Sequence, residues 1–230
     1  MIIGLKTSRN NSLCKLNLRM DGADNGTTFT DSSPSGKTVT RSGTVTKTAI
    51  KQFGTASGYT PGGTSNYYLS IPASGDFKFT IPYTVSIYCY LTNVSAGRML
   101  FHNGNNATVS PLGRFYYTPS TTTITFQAFA ATGSNIDLSV VQSLSTNTWY
   151  HLEAVLNTDK CRLFLNGINI KEISTPVYTA RTSADPLYLF IRFISPSTYD
   201  NRWTGYLDSA MFHAGKALHT RNFLAPNRTA

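Results

Sequence analysis

Eleven acidic side chains and four histidines hold most of the acid–base chemistry open to this chain, and only two of the acids are glutamates, Glu153 and Glu172. Cleaving a glycosidic bond takes two carboxylates flanking it, about 5–5.5 Å apart in a retaining enzyme. Glu153 and Glu172 fall on different predicted strands, and no close aspartate pair lies within one strand. Glu153 has the opposite parity to Leu152, Ala154 and Leu156, so it faces a concave sheet surface or solvent. A solvated charge is the expectation. His102, His151, His213 and His219 are dispersed, without H-x-x-x-H or H-E-x-x-H spacing, so no zinc site is expected. No G-x-S-x-G elbow and no phosphate-cradling glycine loop before a helix occurs. The chain is therefore read as non-enzymatic. Its binding chemistry lies in its aromatic rings. Tyr116, Tyr117, Tyr199 and Trp203 sit in turn-rich stretches, where sugar rings could stack on them or a second subunit could pack. Consecutive Tyr116-Tyr117 on a strand must place one ring inside and one outside.

The elements that position these groups follow from alternation. Cys14, Leu16, Leu18 and Met20 form one period-two set, and Val85, Ile87, Cys89 and Leu91 another. Ile136–Val140, Tyr150–Leu156 and Leu187–Phe193 repeat the pattern, each set predicting one buried strand face. Turn signals separate them, among them Asp21-Gly22, Pro61-Gly62-Gly63, Asn103-Gly104-Asn105-Asn106 and Asn166-Gly167. Residues 30–66 are rich in Thr, Ser and Gly and read as short strands at a sheet edge. One short helix candidate lies at Ala217–Asn222. The predicted fold is all-β: a two-sheet antiparallel β-sandwich of jelly-roll type with at most that one helix. Trp149 opens a long strand and is expected to pack between the sheets with Leu163 and Leu165. Asn166-Gly167 should join two strands as a tight hairpin, and Gly205 should serve a strand entry with close backbone approach. Cys14, Cys89 and Cys161 each alternate with apolar residues and read as buried free thiols.

Composition narrows the classes further. The chain has 230 residues, and charged residues make up 13% of it, about half the usual share of roughly 25%. No apolar run approaches ~18–20 residues, so no membrane insertion is expected. The start of the chain lacks the pattern of a signal peptide. The formal net charge is +9, but Lys and Arg are scattered singly, which argues against specific nucleic-acid binding.

The order of motifs resembles the concanavalin A-like lectin/glucanase superfamily in its laminin G-like branch. Four segments carry the resemblance: Leu16–Asp24 with Phe29–Ser33, Lys51–Gly54 with Tyr67–Pro72, Trp149–Val155 running to Leu163–Gly167, and Gly205–Phe212. The resemblance implies a single sandwich domain over 14–225, with an N-terminal arm (1–13) and a C-terminal tail (226–230). It also implies calcium as a candidate ligand, held by Asp21, Asp24, Asp31 and Asp208 with Asn25, although Ser209 stands where the family usually has an acid. The E-x-D-x-x-E strand of the glucanase relatives is absent. The arrangement is similar to versions found in tailed-phage virion proteins. That similarity implies a virion-surface protein, made in the host cytoplasm, acting as head decoration, head fibre or tail appendage. Its expected partners are other virion subunits, itself and cell-surface polysaccharide. A free-standing carbohydrate-binding lectin is the alternative, and a glycoside hydrolase a third reading.

Overall fold

Period-two runs become strands because burying one face of an extended chain needs alternate apolar side chains. The computed structural model describes residues 12–94, 98–104, 111–195 and 198–226. Most of the expected N-terminal arm, the tail beyond Pro226 and the Asn105-Asn106 part of one turn lie outside the described residues. In chain order the first strands are β1 (Cys14–Leu18), β2 (Thr40–Ser42), β3 (Val45–Lys47), β4 (Ser57–Thr60), β5 (Tyr68–Ile71), β6 (Tyr83–Leu91) and β7 (Arg98–Asn103). The middle of the chain supplies β8 (Gly113–Thr118), β9 (Thr123–Ala128), β10 (Ala130–Gly133), β11 (Ile136–Val141), β12 (Trp149–Leu156) and β13 (Lys160–Leu165). The last are β14 (Ile168–Ser174), β15 (Tyr178–Ala180), β16 (Leu187–Leu189), β17 (Arg192–Ser195), β18 (Thr198–Asp200) and β19 (Gly205–Ala214).

Two antiparallel sheets stack. One runs β14-β13-β12-β6-β19-β4-β3, with β1 pairing beside β4 on the same edge of β19; the other runs β11-β9-β8-β7-β16-β5-β2. The Thr/Ser/Gly-rich segment does supply edge strands: β2 closes one sheet and β3 the other. Between the sheets lies a core rich in phenylalanine. Phe101 of one sheet meets Phe212 of the other at 5.2 Å between ring centroids, and Phe115 and Phe126 pack beside it. All three cysteines are free and buried. Asn166 and Gly167 both take positive φ, as a two-residue hairpin between β13 and β14 requires.

Four expectations change. The Leu187–Phe193 set is two strands, because Phe190 adopts φ 74° and its N–H bonds to Leu100 O. Residues 217–222 form no helix. Their polar groups are spent on the sheet beneath: Leu218 N–H donates to Thr84 Oγ1, and Asn222 Oδ1 accepts from Asn169 N–H. Helical structure among the described residues is confined to two 3-10 turns, Gly75–Phe77 and Pro119–Thr121. Trp149 is not between the sheets. It pairs with Tyr90 on the outer face, half-buried, because the core side of β12 belongs to Leu152, Ala154 and Leu156. The tryptophan of the core is Trp203, 1% exposed. Leu163 is buried in the core, and Leu165 packs against it half-buried.

Candidate functional site

The outer face of the seven-stranded sheet carries a transverse row of chemistry. Antiparallel register places Ser70, Tyr188, His102, Arg114, Gln127 and Asp137 side by side across six strands. Each has the parity opposite to a core neighbour such as Leu187, Phe115 or Phe126, so each points away from the core. Arg114 Nε donates to Gln127 Oε1 at 2.6 Å, and Gln127 Nε2 donates to Asp137 Oδ2 at 2.5 Å. Ser139 Oγ donates to the other oxygen of Asp137 and lies 3.1 Å from Thr125 Oγ1. The Arg114 guanidinium lies over two rings, 5.2 Å from the Tyr116 centroid and 5.3 Å from that of Phe129. Within this row His102 is buried. Burial holds its pKa down to about 4, and the cations of Arg192 and Arg114 push the same way, so it is a neutral ring at pH 7.

The β17–β18 hairpin builds a raised edge beside the row. Phe193 lies flat on Tyr188, 4.9 Å away with 5° between planes, and Tyr199 lies on Tyr68 at 5.3 Å and 18°. Edge contacts Tyr68–Tyr188 and Phe193–Tyr199 close a cluster of four rings. A two-point ion pair, Arg192 to Asp200, ties the two strands of the hairpin together. Half-buried rings next to fixed donors and acceptors are the composition of a sugar-binding surface, where aromatic faces supply contact area and polar groups set orientation.

Part of the other sheet's outer face is covered by the chain itself, while Tyr59, Tyr206, Tyr90 and Trp149 form a half-buried aromatic row across β4, β19, β6 and β12 on the rest of it. After β19 the segment to Pro226 crosses the covered part: Thr84 Oγ1 donates to Lys216 O, Phe223 N–H to Gly167 O, and the Tyr88 hydroxyl to Pro226 O. A Cβ at Gly167 would lie 2.0 Å from Phe223 O, so the crossing needs glycine there. Gly205 is likewise obligatory, with φ 132° and Tyr90 O 2.1 Å from its virtual Cβ. Under this cover Glu153 is 1% exposed, with His219 Nδ1 2.7 Å from its Oε1, which corrects the expectation of a solvated charge. Burial raises its pKa, and His219 offsets part of that. Glu172 pairs instead with Lys160 and Arg162. The two glutamates thus have separate partners and do not flank a common cleft.

The four aspartates expected to hold calcium do not converge, and no group of three metal-ligating acids, histidines or cysteines occurs among the described residues. Each carboxylate is an acceptor for backbone N–H groups instead. Asp31 takes those of Asn17, Ser33 and Lys37, Asp24 that of Thr48, and Asp21 that of Thr55. Asp208 takes the N–H groups of Gln52 and Phe53, filling the gap where β19 passes from β4 to β1. Asp21 and Asp208 do share one open recess of about 300 Å³ with Arg19 and Phe53. Burial raises Asp208 to about 7 there. Calcium's six to eight oxygen ligands are not assembled by these residues.

Of the four aromatic candidates, Tyr116 and Tyr199 lie on the open face of the seven-stranded sheet, half-buried. Tyr117 points into the core, 2% exposed, and its hydroxyl accepts from Leu144 N–H; Trp203 is likewise internal, which corrects its placement at the surface. Sequence reasoning missed Arg114, Gln127, Asp137, Tyr68, Tyr188 and Phe193. The i, i+2 spacing of Arg114 and Tyr116 puts both on one side of β8, and that signal was readable. The cross-strand partners depend on register.

Stacked antiparallel sheets, one with its outer face partly covered by the chain and one with an open, aromatic and polar face, define an all-β two-sheet sandwich. The family model described as concanavalin A-like lectin/glucanases superfamily, laminin G type, matches residues 62–219, and the chain belongs to that superfamily. No curated protein sequence matches the chain. Among solved structures it is similar to a botulinum neurotoxin type C structure reported with cell entry dependent on two ganglioside molecules (TM-score 0.65, 13% identity, 91% of this chain and 49% of that one). It is also similar to domain 4 of AbnA, a GH43 extracellular arabinanase from Geobacillus stearothermophilus, in complex with arabinotriose (TM-score 0.61, 12% identity, 89% and 93%). A third is the binding domain of botulinum neurotoxin DC in complex with SialylT (TM-score 0.61, 14% identity, 91% and 50%). The chain spans about half the length of the neurotoxin chains. At these identities the likeness is one of fold.

Proposed function

We propose that the protein is a non-catalytic carbohydrate-binding module that holds a glycan across the open face of its seven-stranded sheet. The observation that carries this reading is the juxtaposition on one face of stacked tyrosines with a braced row of donors and acceptors, Arg114, Gln127 and Asp137. Two of the structural neighbours named above have sugar-bearing ligands in their complexes, which supports a glycan as the occupant. A non-catalytic role is supported by the separate pairing of Glu153 and Glu172, since hydrolysis needs two carboxylates about one bond. The expectation of a tailed-phage virion draws no support from the matched superfamily or from the neighbours named above. Binding to a glycan does not require it.

A glycan array followed by calorimetry on the best ligand tests the proposal. Tyr116→Ala and Tyr199→Ala should each weaken binding at least tenfold, about 1.4 kcal/mol, as truncating a contact aromatic does. Their circular dichroism spectra should match the parent. Unchanged affinity in both variants would remove this face from the account, and reducing-sugar release from the ligand would make the protein an enzyme.

A further inference from the structure

Arg114 is a charged group on the open face that is held in place before any ligand arrives. Its Nε is fixed by Gln127, Gln127 is fixed by Asp137, and the guanidinium is flanked by the rings of Tyr116 and Phe129. Its two terminal amino groups have no partner among the described residues. The neighbouring cation, Arg192, is already committed to Asp200. A guanidinium offers paired, coplanar N–H donors that match the two oxygens of a carboxylate. Holding the plane beforehand lowers the ordering cost that binding must meet. A carboxylate is planar and can place both oxygens in the guanidinium plane, whereas a tetrahedral anion must carry further oxygens out of it. The net charge of +9 favours an acidic ligand as well.

We propose that Arg114 reads a carboxylate on the bound glycan, so that the open face selects acidic sugars of the uronic or sialic type over neutral and sulfated ones. This rests on the reading of that face as a glycan site. The terminal amino groups form the paired contact, and the Tyr116 and Phe129 rings hold the sugar against sliding.

The test is an array carrying uronic- and sialic-acid oligosaccharides as free acids and as their methyl esters, beside neutral and sulfated glycans. The parent protein should bind one or more free acids and bind the matching esters at least tenfold more weakly. Arg114→Gln should lose at least tenfold on the free acids and little on the esters. Arg114→Lys should not restore the loss, because an ammonium lacks the fork. The ester comparison needs no variant, so a poorly folded substitution leaves the test intact. Binding confined to neutral or sulfated glycans, or equal binding of acid and ester, would overturn the carboxylate assignment while leaving the glycan site standing. Binding to no glycan at all would overturn both.

Discussion

Acidifying the protein from pH 7.5 to 4.5 should lower its melting temperature by roughly 10 °C. Three histidines set the direction. His102, His151 and His213 are each buried, and burial holds each down to about 4. An unfolded histidine takes up its proton near 6.5. Between 6.5 and 4 the unfolded chain therefore binds more protons, and stability falls as pH falls. Each histidine contributes about 3 kcal/mol at most over that window. Asp208 and Glu153 act in the opposite sense, because burial raises them both. Their stabilisation is complete at low pH and is lost as pH rises, for Asp208 through about 7. Three histidines outweigh them, so stability is lower at acid pH. Melting curves across the range check this, and His213→Asn should flatten the slope. A melting temperature constant from pH 7.5 to 4.5 would mean the histidines are not held neutral.

The second large effect separates the two tryptophans. Trp203→Ala should cost about 3–5 kcal/mol, because the ring is fully enclosed and leaves a cavity. Its backbone is also clamped, with N–H donating to Phe190 O and O accepting from Thr60 Oγ1. Trp149→Ala should cost about 1 kcal/mol, the worth of a half-buried ring against Tyr90. Urea unfolding of both variants measures the difference. Equal costs, or a larger one for Trp149, would contradict the packing described.

These two residues also show where sequence reading stops. The alternation around Leu152, Ala154 and Leu156 was enough to predict β12, and the same parity puts Trp149 on the opposite side. The size of its ring suggested the core, but parity decides. Trp203 shares parity with Gly205 and Leu207, but the glycine carries no apolar signal and the residue precedes β19, so its inward placement shows only in the tertiary clamp to Phe190 and Thr60. Tyr116 and Tyr117 were divisible into one outer and one inner ring because strand parity is local. Arg114's bracing through Gln127 and Asp137 was not legible, because it depends on the register of β8, β9 and β11. Glu153 misled for a related reason. Its parity correctly placed it on the outer face, but no local pattern says that residues 215–226 return to cover that part of it. The aspartates of the opening turns looked like ligands because the same oxygens that coordinate a cation also accept backbone N–H groups.

Localising a bound glycan on the isotope-labelled protein tests the central claim most directly. A titration followed by amide chemical shifts, using the tightest ligand from the array, should perturb β7, β8 and β9 and the β17–β18 hairpin, with Arg114, Tyr116 and Tyr199 among the largest changes. Shifts gathered instead around Asp208, Phe53 and Arg19 on the eight-stranded sheet, or no shifts at saturating glycan, would contradict it.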